Sequence, residues 1–440
     1  MIKKLFTFTL SIALLLVNLG CNGGKQVVIN DINGNEICRL SGLNDLDSSN
    51  ESYQSAVYVI NEAAGILASL NNINEAKAKK LLFKKGYTIN STIDTDAVYS
   101  MCTTASSYSL NAQSYAYIEL SGEIRGLYST GDGNSVTTEH SPHSSFKPLS
   151  VYMQGIEKGI FNYSTTYTDS PYSRESVNGI EQDWPSNATK SYTYEKMTIQ
   201  TAIKQSVNTI AVKALNDVGV INSIVFLKDA FALKLEFELQ NAAAYGEDSV
   251  LGNIALGSLQ TGVSVVQMAG FYTIFPNLGE YTQPYSVGSI ELDGESVYAA
   301  SPISKKIVSE ETASLMNYLL QGVFESGGTA SSSSKLRGLA GGKTGTGDLY
   351  SDCWFVGYTP DYAIGIWHDD SADENICPEI FASLYEQYKD TATNRFTYSK
   401  NIEKKLYCEE SGLLLGDSCT RARVGYYMSG NLPDVCDGIH

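Results

Sequence analysis

The chain has 440 residues, of which 43% are hydrophobic and 18% charged, and its formal net charge is −17. This length allows one large domain with appendages and a substantial hydrophobic core. The acidic balance argues against a nucleic-acid-binding protein, because no stretch offers a basic stripe to phosphate groups. Tyr, Ser, Thr, Asn and Gly are plentiful, so we expect a polar surface with few charges.

Residues 1–21 have the pattern of an export signal. Lys3 and Lys4 precede an apolar run, and Cys21 follows that run as a candidate processing position. Three fates stay open: cleavage, lipidation of Cys21, or retention as an uncleaved membrane anchor, for which the apolar run is short. In each case we expect the rest of the chain at the extracytoplasmic face of the cell membrane.

The eight cysteines fit an oxidising compartment, and seven remain if Cys21 is removed or lipidated. A disulfide could hold the tail through two of three late cysteines, at Cys408, Cys419 and Cys436. The chain has no Cys-x-x-Cys pair and only four histidines, so we predict no metal and no cofactor. We interpret His140 and His143 as loop residues that line a site, in preference to zinc ligands.

Turn signals and hydrophobic spacing predict the elements of the first third of the chain. In chain order, we expect a hairpin over residues 26–40, a polar linker over 41–52, helices over 53–83, a strand over 87–94, a hairpin over 116–128 and a polar loop over 130–143.

Ser144 and Lys147 are separated by two residues, and Pro148 follows directly. Because Pro is tolerated in the first turn of a helix, we predict a helix that begins near Ser144 and continues to Ile156. Ser144 and Lys147 then share one face, with the amine within hydrogen-bond reach of the hydroxyl. The helix N-terminus favours developing negative charge, although a simple capping serine fits the same pattern.

Later elements are a polar surface excursion and a series of apolar helices. Ser206 and Asn208 interrupt one of these helices, and polar side chains in such a place need partners. We expect the excursion over residues 161–198, helices over 198–218, 251–275 and 310–324, and a flexible lead over 327–334.

An unusual strand is predicted over residues 341–347, followed by two strands rich in aromatic residues. It carries Lys343, Thr344, Gly345 and Thr346 where a core strand would carry Val or Ile. Glycine in a strand indicates that a ligand or another backbone approaches closely, so this strand is interpreted as a wall of a binding site. Taken alone, this stretch would be interpreted as a solvated edge strand.

Ser144-x-x-Lys147, Ser206-x-Asn208 and Lys343-Thr344-Gly345 occur in the order that is typical of β-lactamases and penicillin-binding proteins. From residue 86 to the C-terminus, the chain resembles the transpeptidase domain of class A penicillin-binding proteins. The resemblance is carried further by residues 86–94, 205–213, 255–258, 261–263, 328–330 and 354–360, and by the cysteine-containing tail. It implies an α+β fold: a mostly antiparallel sheet flanked by helices, with an α-helical lobe that carries Ser206-x-Asn208.

Residues 30–37 resemble the segment that precedes the glycosyltransferase domain of such proteins, yet residues 41–52 are too few to hold that domain. We therefore expect a synthase that has kept only its cross-linking half. The expected division is a signal or anchor over 1–21, a small N-terminal region over 22–85, a transpeptidase domain over 86–400 and a tail over 401–440.

The resemblance implies a serine-type D-Ala-D-Ala transpeptidase that cross-links peptidoglycan stem peptides and is acylated by penicillins and other β-lactams. Ser144 would be the nucleophile, Lys147 its base, Ser206 a proton relay, and Asn208 would orient Lys147 and hold the substrate amide. The terminal carboxylate would be received by Lys343, Thr344 and Thr346, beside Gly345. The N–H groups of Ser144 and Thr346 would form the oxyanion hole.

Three alternatives stay open. The first is a D,D-carboxypeptidase on the same site. The second is a β-lactam-hydrolysing enzyme, with Glu236 to Asn241 as a weak counterpart of a water-activating motif. The third is a non-catalytic wall-binding or β-lactam-sensing lipoprotein. A separate glycosyltransferase is the expected protein partner.

Overall fold

The structure, a computed structural model, describes residues 25–108, 110–130, 136–177, 179–347, 352–369, 373, 375–389 and 394–439. The predictions for residues 1–21 and the fate of Cys21 lie outside this range. Within it, no single helix has the length and hydropathy of a membrane span. One pair of helices, Asn208–Val218 and Val220–Phe231, meets the criteria only when joined across an 85° bend.

Helices and strands alternate irregularly along the chain. The α-helices of the described residues are α1 (Tyr53–Asn71), α2 (Glu75–Lys85), α3 (Thr95–Ser106), α4 (Met153–Glu157), α5 (Ile199–Gln205), α6 (Asn208–Val218), α7 (Val220–Phe231), α8 (Glu236–Tyr245), α9 (Asp248–Leu256), α10 (Val265–Tyr272), α11 (Glu310–Gln321) and α12 (Ile376–Tyr388).

The strands are β1 (Val27–Asn30), β2 (Glu36–Leu40), β3 (Thr88–Ser91), β4 (Gln113–Glu119), β5 (Ile124–Ser129), β6 (Thr166–Thr168), β7 (Ser173–Val177), β8 (Ile180–Trp184), β9 (Lys196–Thr198), β10 (Glu280–Thr282), β11 (Val287–Leu292), β12 (Glu295–Ala299), β13 (Ser304–Lys306), β14 (Gly341–Thr346), β15 (Cys353–Tyr358), β16 (Tyr362–His368), β17 (Ile402–Cys408) and β18 (Ala422–Met428).

The central sheet has the order β14-β15-β16-β4-β5, and every pair in it is antiparallel. Strands β15 and β16 are buried along their whole length. Helix α10 packs against β16 and β4, and α12 packs against β15 and β16. Continuous apolar runs are expected where a sheet is covered on both faces. The predicted α+β class, a mostly antiparallel sheet flanked by helices, is confirmed.

A second sheet, β12-β11-β3-β1-β2, joins the N-terminal hairpin to the later chain. The hairpins predicted over 26–40 and 116–128 are confirmed as β1–β2 and β4–β5. The helix stop predicted at Gly86 is also confirmed, because this residue caps α2 in the left-handed region, with φ of 68°.

Several expected elements differ in the structure. The helix expected over 198–218 is two helices, α5 and α6, and that over 251–275 is α9 and α10 with a loop between them. The lead expected over 327–334 is partly buried and runs into a 3₁₀ segment, Ser331–Leu336, in which Ser333 donates to the buried carbonyl of Pro378.

Two glycines bring neighbouring segments against the turn that carries Ser144. A β-carbon at Gly257 would lie 2.1 Å from the carbonyl oxygen of His143, and one at Gly345 would lie 2.5 Å from that of Pro142. Gly257 also has φ of 74° and accepts a hydrogen bond from the His143 N–H at 3.0 Å. The glycines thus allow α9 and β14 to approach this turn closely.

Gly257→Ala is expected to lower the free energy of unfolding by about 3 kcal/mol, from left-handed backbone strain and overpacking together. The matched control is Gly338→Ala, at φ of 75° with no atom within 4 Å of the added carbon. It should cost only about 1–2 kcal/mol. Denaturant unfolding measures both values, and equal losses would contradict the close packing at Gly257.

Candidate active site

Ser144 lies in a 3₁₀ turn, His143–Phe146, and not in the first turn of an α-helix as the sequence suggested. The turn is closed by the Lys147 N–H, which donates to the Ser144 carbonyl, and is followed by a π-helical segment, Pro148–Tyr152, and then α4. π-helical segments are frequent at functional sites. Ser144 is half-buried, and its hydroxyl makes no hydrogen bond to any described residue.

Ser206 occupies the break between α5 and α6. Its φ is 60°, in the left-handed region, which is uncommon for a residue other than Gly or Asn. This conformation ends α5 and lets α6 start two residues later. The break therefore exposes both the carbonyl and the hydroxyl of Ser206 to the same small space.

Lys147 is completely buried, and its amine donates to acceptors on the α5–α6 break. Nζ lies 2.9 Å from the Ser206 carbonyl oxygen, 2.6 Å from Asn208 Oδ1 and 3.4 Å from Ser206 Oγ. Burial, followed by the charge of nearby Lys343, lowers the pKa of Lys147 well below its ordinary value. The neutral amine is therefore more accessible at Lys147 than in a free lysine.

Lys343, on strand β14, is also completely buried and contacts the Ser206 hydroxyl. Its Nζ donates to Ser206 Oγ at 2.8 Å and to the carbonyl oxygen of Thr344 at 3.1 Å. Burial lowers the pKa of Lys343 to about 7. Two lysines from distant parts of the chain thus share one serine hydroxyl.

Strand β14 lies at the edge of the central sheet, beside the Ser144 turn. Gly347 N–H donates to the Asp352 carbonyl at 2.7 Å, which makes this a hydrogen-bonded pair of the β14–β15 ladder. Because such pairs alternate, Thr344 and Thr346 direct their N–H and C=O groups away from β15, toward the free edge. Thr346 is exposed there, and Thr344 is fixed by a 2.8 Å hydrogen bond to Thr329.

The start of α6, which carries Asn208, is held by Asn187, a residue of the segment that the sequence predicted to be a surface excursion. Asn187 Oδ1 accepts from the N–H groups of Asn208 and Thr209 at the start of α6. Asn187 in turn donates to Asp169, which also accepts from Thr209 Oγ1 at 2.7 Å. Burial of Asp169 opposes its ionisation, but hydrogen bonds from Thr209 and its neighbours outweigh burial and lower its pKa.

Sequence reasoning missed Asp169 and Asn187 because their partners lie on another element. It also assigned Asn208 to hold a substrate amide. In the structure, Asn208 Oδ1 accepts from Lys147, and Nδ2 donates to the Ser186 carbonyl at 2.8 Å. The observed contacts of Asn208 therefore orient the lysine.

The far side of the Ser144 turn is packed against Asp352. This carboxylate accepts from Trp367 Nε1 at 2.8 Å and lies 3.5 Å from His140 Nδ1 and 3.6 Å from His143 Nε2. The His140 ring stacks on Trp367, with ring centroids 3.6 Å apart. Burial opposes ionisation of Asp352, yet these donors outweigh it and hold its pKa well below the usual range. Through the contact between His143 and Asp352, this cluster holds the turn in place.

The glutamates of the Glu236–Asn241 stretch are engaged elsewhere. Glu236 forms a surface ion pair with Lys228, and Glu238 is buried and accepts from the Gln260 N–H at 3.0 Å. Neither carboxylate contacts Lys147, Ser206 or Lys343 among the described hydrogen bonds and ion pairs. No described contact therefore places a water-activating glutamate at the site.

The structure thus brings Lys147, Ser206, Asn208, Lys343 and Thr344 into one continuous hydrogen-bonded group. Ser144 lies on the same turn as Lys147, and Gly345 packs against that turn. Thr346 faces the open edge. The Ser144 hydroxyl makes no hydrogen bond to a described residue, so the contact with the Lys147 amine expected from the sequence is not observed.

Comparison with known proteins places this arrangement in a family. The model of the penicillin binding protein transpeptidase domain matches residues 95–386. The chain is 30% identical over 293 residues to penicillin-binding protein 1F of Bacillus subtilis, covering 63% of this chain and 38% of the relative. It is 26% identical to penicillin-binding protein 1A of Clostridium acetobutylicum, covering 78% of this chain and 44% of the relative.

Solved structures show the same fold. Penicillin-binding protein 3 of Mycobacterium tuberculosis matches with a TM-score of 0.64 and 16% identity, covering 86% of this chain and 99% of the other. The D,D-transpeptidase domain of a peptidoglycan glycosyltransferase from Eggerthella lenta matches with a TM-score of 0.62 and 17% identity, covering 84% and 99%. The chain belongs to the penicillin-binding protein transpeptidase family, and it spans less than half the length of the two curated relatives above.

Asp169→Ala should lower the free energy of unfolding by about 3 kcal/mol, because buried donors lose a charged acceptor. It should also slow acylation by penicillin about 10-fold or more, since displacement of Asn187 and Asn208 misplaces Lys147. The control is Asp183→Ala, which removes only a surface ion pair with Arg174 and should leave both values nearly unchanged. The positioning role is rejected if acylation by the folded Asp169 variant matches that of the control.

Proposed function

We propose that this protein is a serine D,D-transpeptidase that cross-links peptidoglycan stem peptides through an acyl-Ser144 intermediate. The observation that carries the proposal is that two buried lysines, Lys147 and Lys343, both contact the Ser206 hydroxyl. Ser144 lies on the turn that leads to Lys147, and its own hydroxyl makes no hydrogen bond to a described residue. The family match over residues 95–386 supports a transpeptidase domain over residues 86–400.

Acylation begins with Lys147 as the general base. A free lysine has a pKa about three units above neutral pH, so the neutral amine would ordinarily cost about 4 kcal/mol. Burial and the Lys343 cation offset that cost by lowering the pKa of Lys147. The neutral amine takes the proton of Ser144 Oγ as the oxygen attacks the carbonyl between the two D-alanines.

The resulting oxyanion is stabilised by the N–H groups of Ser144 and Thr346. The free-edge orientation of Thr346 supports this assignment, because its N–H points away from β15. Collapse of the tetrahedral intermediate breaks the peptide C–N bond and leaves an ester on Ser144. The proton passes from Lys147 through the Ser206 hydroxyl, 3.4 Å away, to the leaving D-alanine amine.

The terminal carboxylate of the donor peptide is received by Lys343 with the hydroxyls of Thr344 and Thr346. Lys343 lies on the edge strand beside the Ser144 turn and keeps its cation up to a pH of about 7. A charge-assisted contact to a carboxylate is roughly twice as strong as a neutral hydrogen bond. A bound carboxylate would also favour the charged form of Lys343, and so keep Lys147 neutral.

An acceptor amine from a second stem peptide then attacks the ester, forms the cross-link and frees Ser144. The engagement of Glu236 and Glu238 elsewhere supports transfer to an amine over β-lactam hydrolysis. Penicillins and other β-lactams would acylate Ser144 and remain bound. We propose that the protein is exported and membrane-associated, and that a separate glycosyltransferase supplies the glycan strands.

Wild-type protein should be labelled by fluorescent penicillin, whereas Ser144→Ala should not be labelled, because only the Ser144 hydroxyl can form the ester. Ser145→Ala is the matched control and should still be labelled. The Ser145 hydroxyl donates to the Pro142 carbonyl at 2.6 Å within the turn and is not the proposed nucleophile. Equal labelling of Ser144→Ala and wild type would refute the nucleophile assignment. Incubation of wild type with a stem pentapeptide, with and without an acceptor amine, separates transfer from hydrolysis.

The second-order rate of acylation should have a bell-shaped pH profile that reports the free enzyme. The rate should rise as Lys147, with its lowered pKa, loses its proton, and fall above about pH 7 as Lys343 loses the cation that attracts the carboxylate. In Lys343→Arg, the alkaline fall should move to much higher pH because guanidinium stays protonated. A wild-type rate that still rises at pH 9 would contradict these assignments.

A further inference from the structure

Three cysteines from separate segments of the C-terminal tail lie close together in the structure. The sulfur atoms of Cys408, Cys419 and Cys436 all lie within 4.8 Å of one another. Ten residues separate the first two and sixteen separate the last two, so the sequence contains no recognisable metal-binding spacing. The grouping therefore emerges only from the fold.

The backbone builds this cluster from three segments. Cys408 ends β17, and the chain turns back so that the Gly412 N–H donates to the Cys408 carbonyl at 2.8 Å. Leu414 then pairs with the last segment, since the Cys436 N–H donates to its carbonyl at 2.8 Å. A β-carbon at Gly416 would lie 1.9 Å from the Cys436 carbonyl oxygen, so only glycine allows the segment leading to Cys419 to approach.

A backbone N–H group also approaches the cluster, since that of Gly438 donates to Cys436 Sγ at 3.4 Å. Cysteine binds metal ions as the thiolate, which accepts such hydrogen bonds.

Local charge also suits a thiolate-bound cation. Glu409, next to Cys408, is neutralised by two ion pairs, to Arg421 at 3.1 Å and to Arg423 at 2.6 Å. Three thiolates and one divalent ion leave a net charge of about −1, which these neighbouring guanidinium groups offset. Two guanidinium groups and the Glu409 carboxylate together leave a net charge of +1 beside the cluster.

We infer that Cys408, Cys419 and Cys436 form a three-thiolate site for a divalent metal ion of the zinc class. Tetrahedral coordination with bonds of about 2.3 Å places sulfur atoms about 3.8 Å apart, within the span observed. Sulfur ligands and tetrahedral geometry select zinc over magnesium or calcium, and a water molecule completes the coordination. A disulfide, the arrangement suggested by the sequence, would use only two of the three sulfur atoms.

The ion would fix the β17–β18 hairpin against the rest of the molecule. This hairpin packs on the segment that leads to β6: Ser164 donates to the Gly412 carbonyl at 2.5 Å, and Tyr427 donates to Ser164 at 2.7 Å. Tyr426 also stacks on Tyr318 of α11, with ring centroids 3.6 Å apart. Metal binding is thus coupled to ordering of the tail.

The test uses full-length protein in detergent, reduced with a metal-free phosphine and dialysed against metal-free buffer. Titration with Zn²⁺ should reach about one equivalent per chain, and Co²⁺ should give sulfur-to-metal charge-transfer and tetrahedral absorption bands. Cys408→Ser, Cys419→Ser and Cys436→Ser should each lose this binding. Cys102→Ser, which changes a cysteine of α3 outside the cluster, should retain it.

A second measurement does not depend on the folding of a variant. With zinc bound, the wild-type tail should resist trypsin at Arg421 and Arg423, and metal removal should speed cleavage there at least several-fold. The inference is overturned if reduced wild-type protein binds no zinc, or if the three serine variants bind it as Cys102→Ser does. It is also overturned if protein isolated from cells carries a disulfide between two of these cysteines and no metal.

Discussion

Two buried lysines that share one serine hydroxyl are the constraint on which the rest of the site depends. An ammonium group without solvent is costly, so burial lowers the pKa of both Lys147 and Lys343, and the charge of Lys343 lowers that of Lys147 further. In the proposed mechanism, this lowered pKa makes Lys147 available as the base. Lys343 is, in the same proposal, the cation that attracts the substrate carboxylate.

The fold brings the two lysines together from elements that are almost two hundred residues apart. Lys147 is carried by the turn between the polar loop and α4, whereas Lys343 lies on the edge strand of the central sheet. Ser206 reaches both because its left-handed backbone breaks an otherwise apolar helix. Strain of about 1–2 kcal/mol at that residue is thus part of the site, and packing on both sides maintains it.

Residue types that the chemistry requires could be predicted from the sequence, because a cation, hydroxyls and glycines are out of place in a buried strand such as β14. The fold class could be predicted too, because the resemblance to the transpeptidase domain of class A penicillin-binding proteins implied it. The break at Ser206 could not, because helix periodicity continues across it. Asp169 and Asn187 were missed because they lie in a polar stretch whose hydrogen-bond partners come from α6. The cysteine cluster was missed because a hairpin, and no local spacing, brings its members together.

The most direct test of the shared-hydroxyl site is NMR titration of protein with ¹³C at the lysine ε-carbons, with Lys147 and Lys343 assigned by single substitution. Both resonances should titrate well below the ordinary lysine pKa of about 10.4. The pKa of Lys147 should rise in Lys343→Met, because the neighbouring positive charge that lowers it is gone. Two lysines that titrate near the ordinary value, each unaffected by removal of the other, would contradict the account.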